Sequence, residues 1–387
     1  MKLSGPRARL IDRVAEVPAA NWDALANPSG QEFNPFVSHA FLKALEDSDS
    51  VCAAVGWRPA HALLEDDGTV VAAAPMYVKA HSYGEYVFDH QWADAFQRAG
   101  GRYYPKLQVA VPFTPATGPR LLVGTNTAAR LPLAQGLMQF AERMRVSSLH
   151  VTFVERAEWD ALQKLGFLQR TDQQFHWENQ GYADFNDFLV ALSSIKRKNL
   201  RRERAEALRA GVTVEWLTGG DIKEAHWDAF YEFYVDTGSR KWGSPYLTRE
   251  FFSLVGAAMP DRTLLVMAKR DGRYIAGALN FIGSHALYGR NWGAIEHHRF
   301  LHFELCYYQA IEFAIAKGLA RVEAGAQGAH KLARGYMPVE TYSLHWIAHS
   351  GLRQAVGHYL REERRAVAEE IEALSEHGPF RKEDVPD

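Results

Sequence analysis

The small number of cysteines and the lack of long apolar runs limit the classes to which this protein can belong. Its 387 residues include two cysteines, Cys52 and Cys306, too few for a disulfide framework and without the Cys–His spacing of a zinc site. No stretch approaches the roughly 18 consecutive apolar residues of a membrane span, and the N-terminus has no apolar run of signal-peptide length. These absences predict a cytoplasmic protein.

An excess of charge of either sign is also missing. The 44 basic and 46 acidic residues give a net charge of −2, so no global basic field points to DNA. Rossmann, P-loop and Gly-x-Ser-x-Gly signatures are absent. A hydrophobic content of 47% is enough for a full core, and the length allows two domains. We therefore expect a globular α/β or α+β protein.

The chain repeats itself. Asp67–His81 aligns without gaps on Asp271–His285, and in each copy Asp-Gly separates two runs that read as strands. The segment that ends at Trp177 matches the segment that ends at Trp346, and an amphipathic helix and a short strand precede both. Two matches in the same order predict a duplicated domain. We expect halves at 1–180 and 181–387, with a long helix at 351–377 that packs on the body or forms a homodimer.

Several segments resemble a known family. Trp159–Phe167 resembles the closing helix and strand of GNAT acyltransferases, and Ser194–Val212 is similar to the helix that opens the second domain of tandem-GNAT Fem proteins. Arg240–Phe252 and Phe303–Trp346 resemble bacterial FemAB-like proteins of peptidoglycan biosynthesis or recognition. The resemblance covers roughly residues 35 to 346. It implies an α/β (α+β) fold of two GNAT-like domains with mixed central sheets and a long C-terminal helix.

The resemblance also implies an activity. We expect an N-acyltransferase that moves an acyl or aminoacyl group onto the amine of a small molecule or peptide. The donor would be acyl-CoA, acyl carrier protein or aminoacyl-tRNA, with no tightly bound cofactor and no DNA partner. In the GNAT design two neighbouring strands splay apart to admit the donor. In the second half these would be Ala286–Trp292 and Ala320–Ala324, so we place the working site there.

Three residues are candidates for the chemistry, because acyl transfer needs a base, an oxyanion donor and an acid. Glu323 lies on a short strand among apolar neighbours, where desolvation would raise its pKa toward that of a base near neutrality. Glu304, in the first turn of a helix, is a second base or an amine anchor, and Tyr336 would protonate the leaving group. Exposed strand and helix-terminal roles remain open for the two carboxylates.

Binding residues are expected on the adjacent strand and on the loop 325–336. These candidates are Arg290, Trp292, Gln327, His330, Lys331 and Arg334. The loop residues would hold a phosphate or carboxylate, and a plain solvated loop is the alternative. His297, His298, His302 and Glu304 match no metal-site spacing, so no metal is predicted.

Two other functions remain open. Lys196–Arg209 holds seven basic and two acidic residues, which favours an aminoacyl-tRNA-dependent transferase, although 184–210 is too short for a paired helical arm. The counterpart of the pyrophosphate loop, Gly293–His302, has one glycine, which favours a non-catalytic protein that binds a cell-wall precursor or a lipid. The first half has Thr152 at the position that Glu323 occupies in the second half. The first half would therefore bind the acceptor or support the fold, and Pro112–Pro119 would form a rigid loop.

Overall fold

The structure, a computed structural model, describes residues 5–241, 245–325 and 328–381. Its strands are β1 (Arg7–Ile11), β2 (Trp57–Pro59), β3 (His61–Asp66), β4 (Thr69–Ala74), β5 (Met76–Lys79), β6 (Lys106–Val109), β7 (Ser148–Val154), β8 (Leu168–Glu178), β9 (Thr213–Thr218), β10 (Thr263–Arg270), β11 (Arg273–Ile282), β12 (Ala286–Ala294), β13 (Arg321–Glu323) and β14 (Met337–Ile347).

The described residues also form helices. They are α1 (Ala19–Ala26), α2 (His39–Asp47), α3 (His90–Arg98), α4 (Arg130–Arg143), α5 (Arg156–Gln163), α6 (Phe185–Ala191), α7 (Ser194–Ala207), α8 (Glu224–Lys241), α9 (Arg249–Ala258), α10 (Leu301–Phe303), α11 (Gln309–Ala316) and α12 (Ser350–Glu376). A π-helical turn, Glu304–Tyr308, joins α10 to α11. Within the described ranges, no helix has the length and apolar character needed to cross a bilayer.

Contacts between residues divide the chain into two compact units. The first contains the described residues of 1–172 and 340–369, and the second those of 173–339 and 370–387. Strands β8 and β14 therefore each begin in one unit and end in the other, so the two sequence halves exchange their closing strands. The sequence predicted one boundary near residue 180, and the exchange was not anticipated because the local pattern of a strand does not specify its partner.

Within the first unit, the strand order is β2-β5-β6-β7, followed by the C-terminal part of β14. Strands β6 and β7 are parallel, and residues 342–347 of β14 pair antiparallel with β7. Strands β1, β3 and β4 form a separate antiparallel sheet. Leu133, Leu137 and Phe140 of α4 lie at helical spacing in the core of this unit.

The second unit repeats this arrangement. Its order is the C-terminal part of β8, then β13-β12-β11-β10-β9, with β12 and β13 parallel and the other pairs antiparallel. Leu301, Leu305, Tyr308 and Ile311 bury one side of the helix 301–316 in the core of this unit. Each unit thus has a meander, a helix, a parallel strand and an antiparallel closing strand.

The repeated Asp-Gly pairs form the two predicted hairpin turns. Asp67 and Gly68 link β3 to β4 with φ of 46° and 79°, and Asp271 and Gly272 link β10 to β11 with φ of 51° and 78°. Positive φ at both central positions is typical of the type I′ turn, whose twist matches that of the paired strands. The predicted turns are confirmed.

The predicted tail helix is also confirmed. In the first unit, Leu352, Val356 and Leu360 of α12 are buried in a cluster with Trp92 and Tyr103. These apolar residues lie at four-residue steps, so one stripe of the helix packs on the body of the unit. A homodimer through α12 stays a prediction.

Candidate active site

Strands β12 and β13 separate soon after they meet. They pair at three positions, the last joining Tyr288 to Glu323. Strand β13 ends there, whereas β12 continues along β11 to Ala294. A register shift between Leu279 and Asn280 shows that β12 also bulges at this point. The predicted splaying of these two strands is therefore present in the second unit.

A cleft opens at this separation, with a volume of about 90 Å³. Its lining residues are Ala278, Leu279, Asn280, Gly289, Arg290, Asn291, Trp292, His302, Cys306, Tyr307 and Ala324. Trp292 and His302 also line a larger groove of about 540 Å³, which the segment 294–303 borders. The cleft and groove together give a path from the helix 301–316 to the gap between the strands.

Glu323 lies at the edge of the gap. Its residue is 3% exposed, so the desolvation expected from the sequence is confirmed. Burial raises the pKa of this carboxyl group to about 7, against the opposing effect of Arg321. A carboxylate that titrates near neutrality can accept a proton from an amine under ordinary conditions.

The surroundings of Glu323 leave one of its oxygens available. Oε1 accepts a hydrogen bond from Nε of Arg321 at 3.1 Å. Oε2 lies 3.8 Å from Nε2 of His176 and has no hydrogen-bond partner among the described residues. Burial lowers the pKa of His176 to about 3, so this imidazole is neutral at pH 7. Arg321 is therefore the cation that contacts the carboxylate.

Glu323 and the cleft lie on opposite faces of the sheet. Side chains alternate along a strand, and Val322 packs into the core that contains the helix 301–316. Glu323 therefore points to the other face, which agrees with its contacts to Arg321 and His176. Asn280, two residues after the core residue Ala278, points toward the helix face. The separation of the strands joins the two faces.

Glu304 does not line the cleft. The structure buries it completely, and its carboxylate accepts hydrogen bonds from Nε and a terminal nitrogen of Arg204 at 2.9 to 3.2 Å. It also accepts one from Gln309 at 2.7 Å. These bonds attach α7 to the π-helical turn. The predicted base or amine anchor therefore occupies a structural position here.

Tyr336, the predicted acid, is also buried and does not line the cleft. The Tyr336 hydroxyl donates to the carbonyl oxygen of Tyr307 at 3.2 Å, and burial raises its pKa well above the usual value. Tyr307 lines the cleft, and its hydroxyl pairs with Nε2 of His330 at 2.9 Å. Regular helical spacing would not place Tyr307 at the cleft. The π-turn places it there because it adds a residue to the helix.

The basic loop residues have mainly structural contacts. Lys331 is 2% exposed, its Nζ donates to the carbonyl oxygen of Gly325 at 2.8 Å, and burial lowers its pKa to about 8. Arg334 donates to Glu203 at 2.8 Å and stacks on Phe303 at 3.5 Å. Neither lines the cleft. Gln327 lies outside the described residues.

The remaining candidates divide into two groups. Arg290 and Trp292 line the cleft, and His330 contacts Tyr307 at its edge. Substrate binding by these residues stays a prediction. His298 pairs with Glu296 at 3.0 Å. Among the described residues, no group of three His, Cys, Asp or Glu side chains could hold a metal ion.

The corresponding gap in the first unit is filled by its own chain. Strand β6 ends at Val109, whereas its parallel partner β7 continues to Val154. Gly118 N–H donates to the carbonyl oxygen of Phe153 at 3.1 Å, and Nε of Arg120 donates to that of Thr152 at 2.9 Å. The loop that contains Pro112–Pro119 is largely buried rather than a plain surface loop. These contacts occupy the edge of β7 beyond the end of β6.

Comparison with known proteins supports the fold. The crystal structure of FemX superposes with a TM-score of 0.56 at 13% identity, covering 88% of this chain and 98% of that chain. The C-terminal domain of a putative lysylphosphatidylglycerol synthetase from Agrobacterium fabrum gives 0.54 at 8% identity, covering 87% and 95%. The L-PGS structure from Bacillus licheniformis gives 0.50 at 10% identity, covering 91% and 99%. No curated protein matches significantly.

The sequence itself matches a family. Residues 13–382 match FemAB_like, described as peptidoglycan biosynthesis/recognition, and the chain belongs to this family. The predicted fold of two GNAT-like units with mixed sheets and a long C-terminal helix is confirmed. Family membership supports a peptidoglycan-related acyl- or aminoacyl-transfer function at the level of the family.

Proposed function

We propose that this protein is an N-acyltransferase that moves an acyl or aminoacyl group from an activated ester or thioester to an amine. One observation carries the proposal. The parallel pair β12–β13 separates beside a buried carboxylate, Glu323, whose pKa burial raises to about 7. The second unit would be the working unit, since the equivalent gap in the first is filled by residues 116–120.

In this proposal the two faces of the sheet have different tasks. The donor lies in the cleft on the helix face, and its reactive carbonyl reaches the gap between the strands. The acceptor amine approaches from the face of Glu323. Glu323 Oε2 takes a proton from the amine, the nitrogen attacks the carbonyl carbon, and the thiolate or ribose oxygen leaves. Tyr307, which lines the cleft, would return a proton to the leaving group.

A pH–rate profile tests the role of Glu323. The assay uses acyl-CoA thioesters and charged tRNA as donors and a lysine-containing peptidoglycan peptide as acceptor, with the amide product detected by mass spectrometry. We expect kcat/KM to rise with an apparent pKa near 7, as for the Glu323 carboxyl group. Glu323→Gln should remove this step and lower kcat about 10²- to 10⁴-fold.

The control for this experiment is Glu372→Gln, which removes an exposed carboxylate from α12. It should leave the profile unchanged. An unaltered profile in Glu323→Gln would contradict the assignment of the base. Absence of product with every donor would contradict the enzymatic proposal and favour the non-catalytic recognition alternative.

An aminoacyl-tRNA donor is a second candidate, favoured by one surface of α7. Lys198, Arg201 and Arg202 are exposed on this helix, whereas Arg204 is held by Glu304 and Glu312. Exposed cations on one helix face suit a phosphate backbone. Lys198→Glu with Arg201→Glu should weaken charged-tRNA binding and reduce its salt dependence. If tRNA binding does not change, this candidate fails.

A further inference from the structure

Asn280 is a buried polar residue whose role in the fold is incomplete. It is 1% exposed in the middle of β11, and its Nδ2 donates to the carbonyl oxygen of Ala278 at 3.3 Å. Its Oδ1 has no hydrogen-bond partner among the described residues. A buried amide oxygen without a donor is unfavourable in a folded protein, so such a group calls for a specific explanation.

The unpaired oxygen faces the cleft. Asn280 lines the cleft and stands opposite Gly289, at the point where the register of β11 and β12 shifts. A Cβ atom on Gly289 would lie 3.5 Å from Oδ1, so the glycine puts no side chain between this oxygen and the cleft. The same Cβ would lie 3.5 Å from the backbone oxygen of Glu323. Asn280 therefore points into the narrow passage that leads to the gap.

The size and charge of the cleft restrict what can donate to this oxygen. A volume of about 90 Å³ admits a slender chain rather than a ring system. Among the described residues that line it, none carries a carboxylate, and Arg290 is cationic. An ammonium group in the cleft would meet the like charge of Arg290, whereas an uncharged amide N–H would not.

We propose that Asn280 is a positioning residue that accepts a hydrogen bond from an uncharged amide N–H on the donor. This inference rests on the proposed acyltransferase function and names the donor class. The site would favour thioesters on an amide-bearing arm over esters of amino acids with a free α-ammonium group. Arg290 and the bulge of β12 would exclude the charged donors, and Asn280 would set the depth to which the arm enters.

A matched pair of small thioesters tests the hydrogen bond. One is S-acetyl-N-acetylcysteamine, and the other replaces its amide N–H by an ester oxygen. We expect the unmodified protein to prefer the amide compound by about tenfold in kcat/KM and in binding measured by calorimetry. Asn280→Leu should abolish the preference, and Asn280→Asp should shift binding toward a cationic aminoacyl ester.

Stability separates this role from a structural one. Because Asn280→Leu removes an unpaired buried oxygen, its unliganded melting temperature should equal or exceed that of the unmodified protein. If the leucine does not fit, Asn280→Ala serves in the same assays. A preference for the amide compound that survives in these variants would overturn the inference while leaving the acyltransferase proposal intact. If the protein binds the amide compound more tightly than the ester compound but turns over no donor, the proposed role of Asn280 is supported and the proposed enzymatic activity is refuted.

Discussion

Lys106 supports a buried charge network in the first unit, and its replacement by methionine should be strongly destabilising. The lysine is fully buried on β6. Its Nζ donates to Asp89 at 2.5 Å, to Glu85 at 2.7 Å and to Ser82 at 2.8 Å. The Tyr103 hydroxyl also donates to Asp89, at 2.7 Å. The segment that follows β5 therefore brings two carboxylates over one lysine.

The magnitude follows from the burial of the charges. Methionine fills much of the lysine volume but removes the ammonium group that contacts both Asp89 and Glu85. Asp89 loses its contact with Lys106, and Glu85 keeps only Nζ of Lys79, at 3.8 Å. Breaking a buried pair in this way costs about 3–5 kcal/mol. The pKa of Asp89 is held below its usual range by Lys106 and His150 against the effect of burial, and this stabilisation would be lost. The deficit should shrink as pH falls from 8 to 5, because in the variant burial raises the pKa of both carboxyl groups without Lys106 to oppose it, and they then take up protons.

Urea unfolding followed by far-ultraviolet circular dichroism measures the effect. Lys164→Met, at an exposed position of the same unit, is the control and should change stability by less than about 0.5 kcal/mol. A loss below about 1 kcal/mol for Lys106→Met, or a loss that does not depend on pH, would refute the network as described.

Two further predictions concern packing and pH. In Gly293→Ala the new Cβ would lie 2.1 Å from the backbone oxygen of Phe233. We therefore expect thermal unfolding to show a loss of about 1–3 kcal/mol in stability. The control Gly220→Ala has open space around the new Cβ and should be nearly neutral. Burial lowers the pKa of His150 to about 3. Its neutral form therefore stabilises the fold above pH 6.5, and this contribution to stability is lost as pH falls from about 7 to 3. His150→Gln should therefore reduce the loss of stability between pH 7 and pH 4. The control is the exposed His358→Gln, which should leave the dependence of stability on pH unchanged. An unchanged dependence in His150→Gln would count against this assignment.

The duplicated fold could be predicted from the sequence because its signals are local. The Asp-Gly turns at 67–68 and 271–272 adopt the backbone angles that hairpins require, and the tail helix shows its apolar stripe directly. The exchange of β8 and β14 could not be predicted, because the pairing of a closing strand depends on contacts distant in the sequence. The family resemblance is confirmed, although the pairwise identities to the FemX and synthetase structures are only 8 to 13%.

The candidate site was predictable in part. Glu323 is a lone acid on an apolar strand, and that pattern correctly indicated burial and a raised pKa. Glu304 lies elsewhere because it begins a π-turn, which sequence periodicity does not reveal. Tyr336 lies elsewhere because its hydroxyl group bonds to the backbone of Tyr307, a contact between residues distant in the sequence. Asn280 was missed because an amide within a strand gives no sign that its oxygen will lack a partner. The filled gap of the first unit was missed as well, since it depends on a loop distant in the sequence.

Alkylation of the two cysteines tests most directly where the donor binds. Cys306 lines the cleft of the second unit, and Cys52, also half-buried, lies in the first unit and is an internal control. With a donor that the protein turns over, present at about ten times its Kd, N-ethylmaleimide should modify Cys306 about tenfold more slowly, while the rate at Cys52 stays the same. If a donor that is turned over leaves the rate at Cys306 unchanged, the cleft between β12 and β13 is not the donor site.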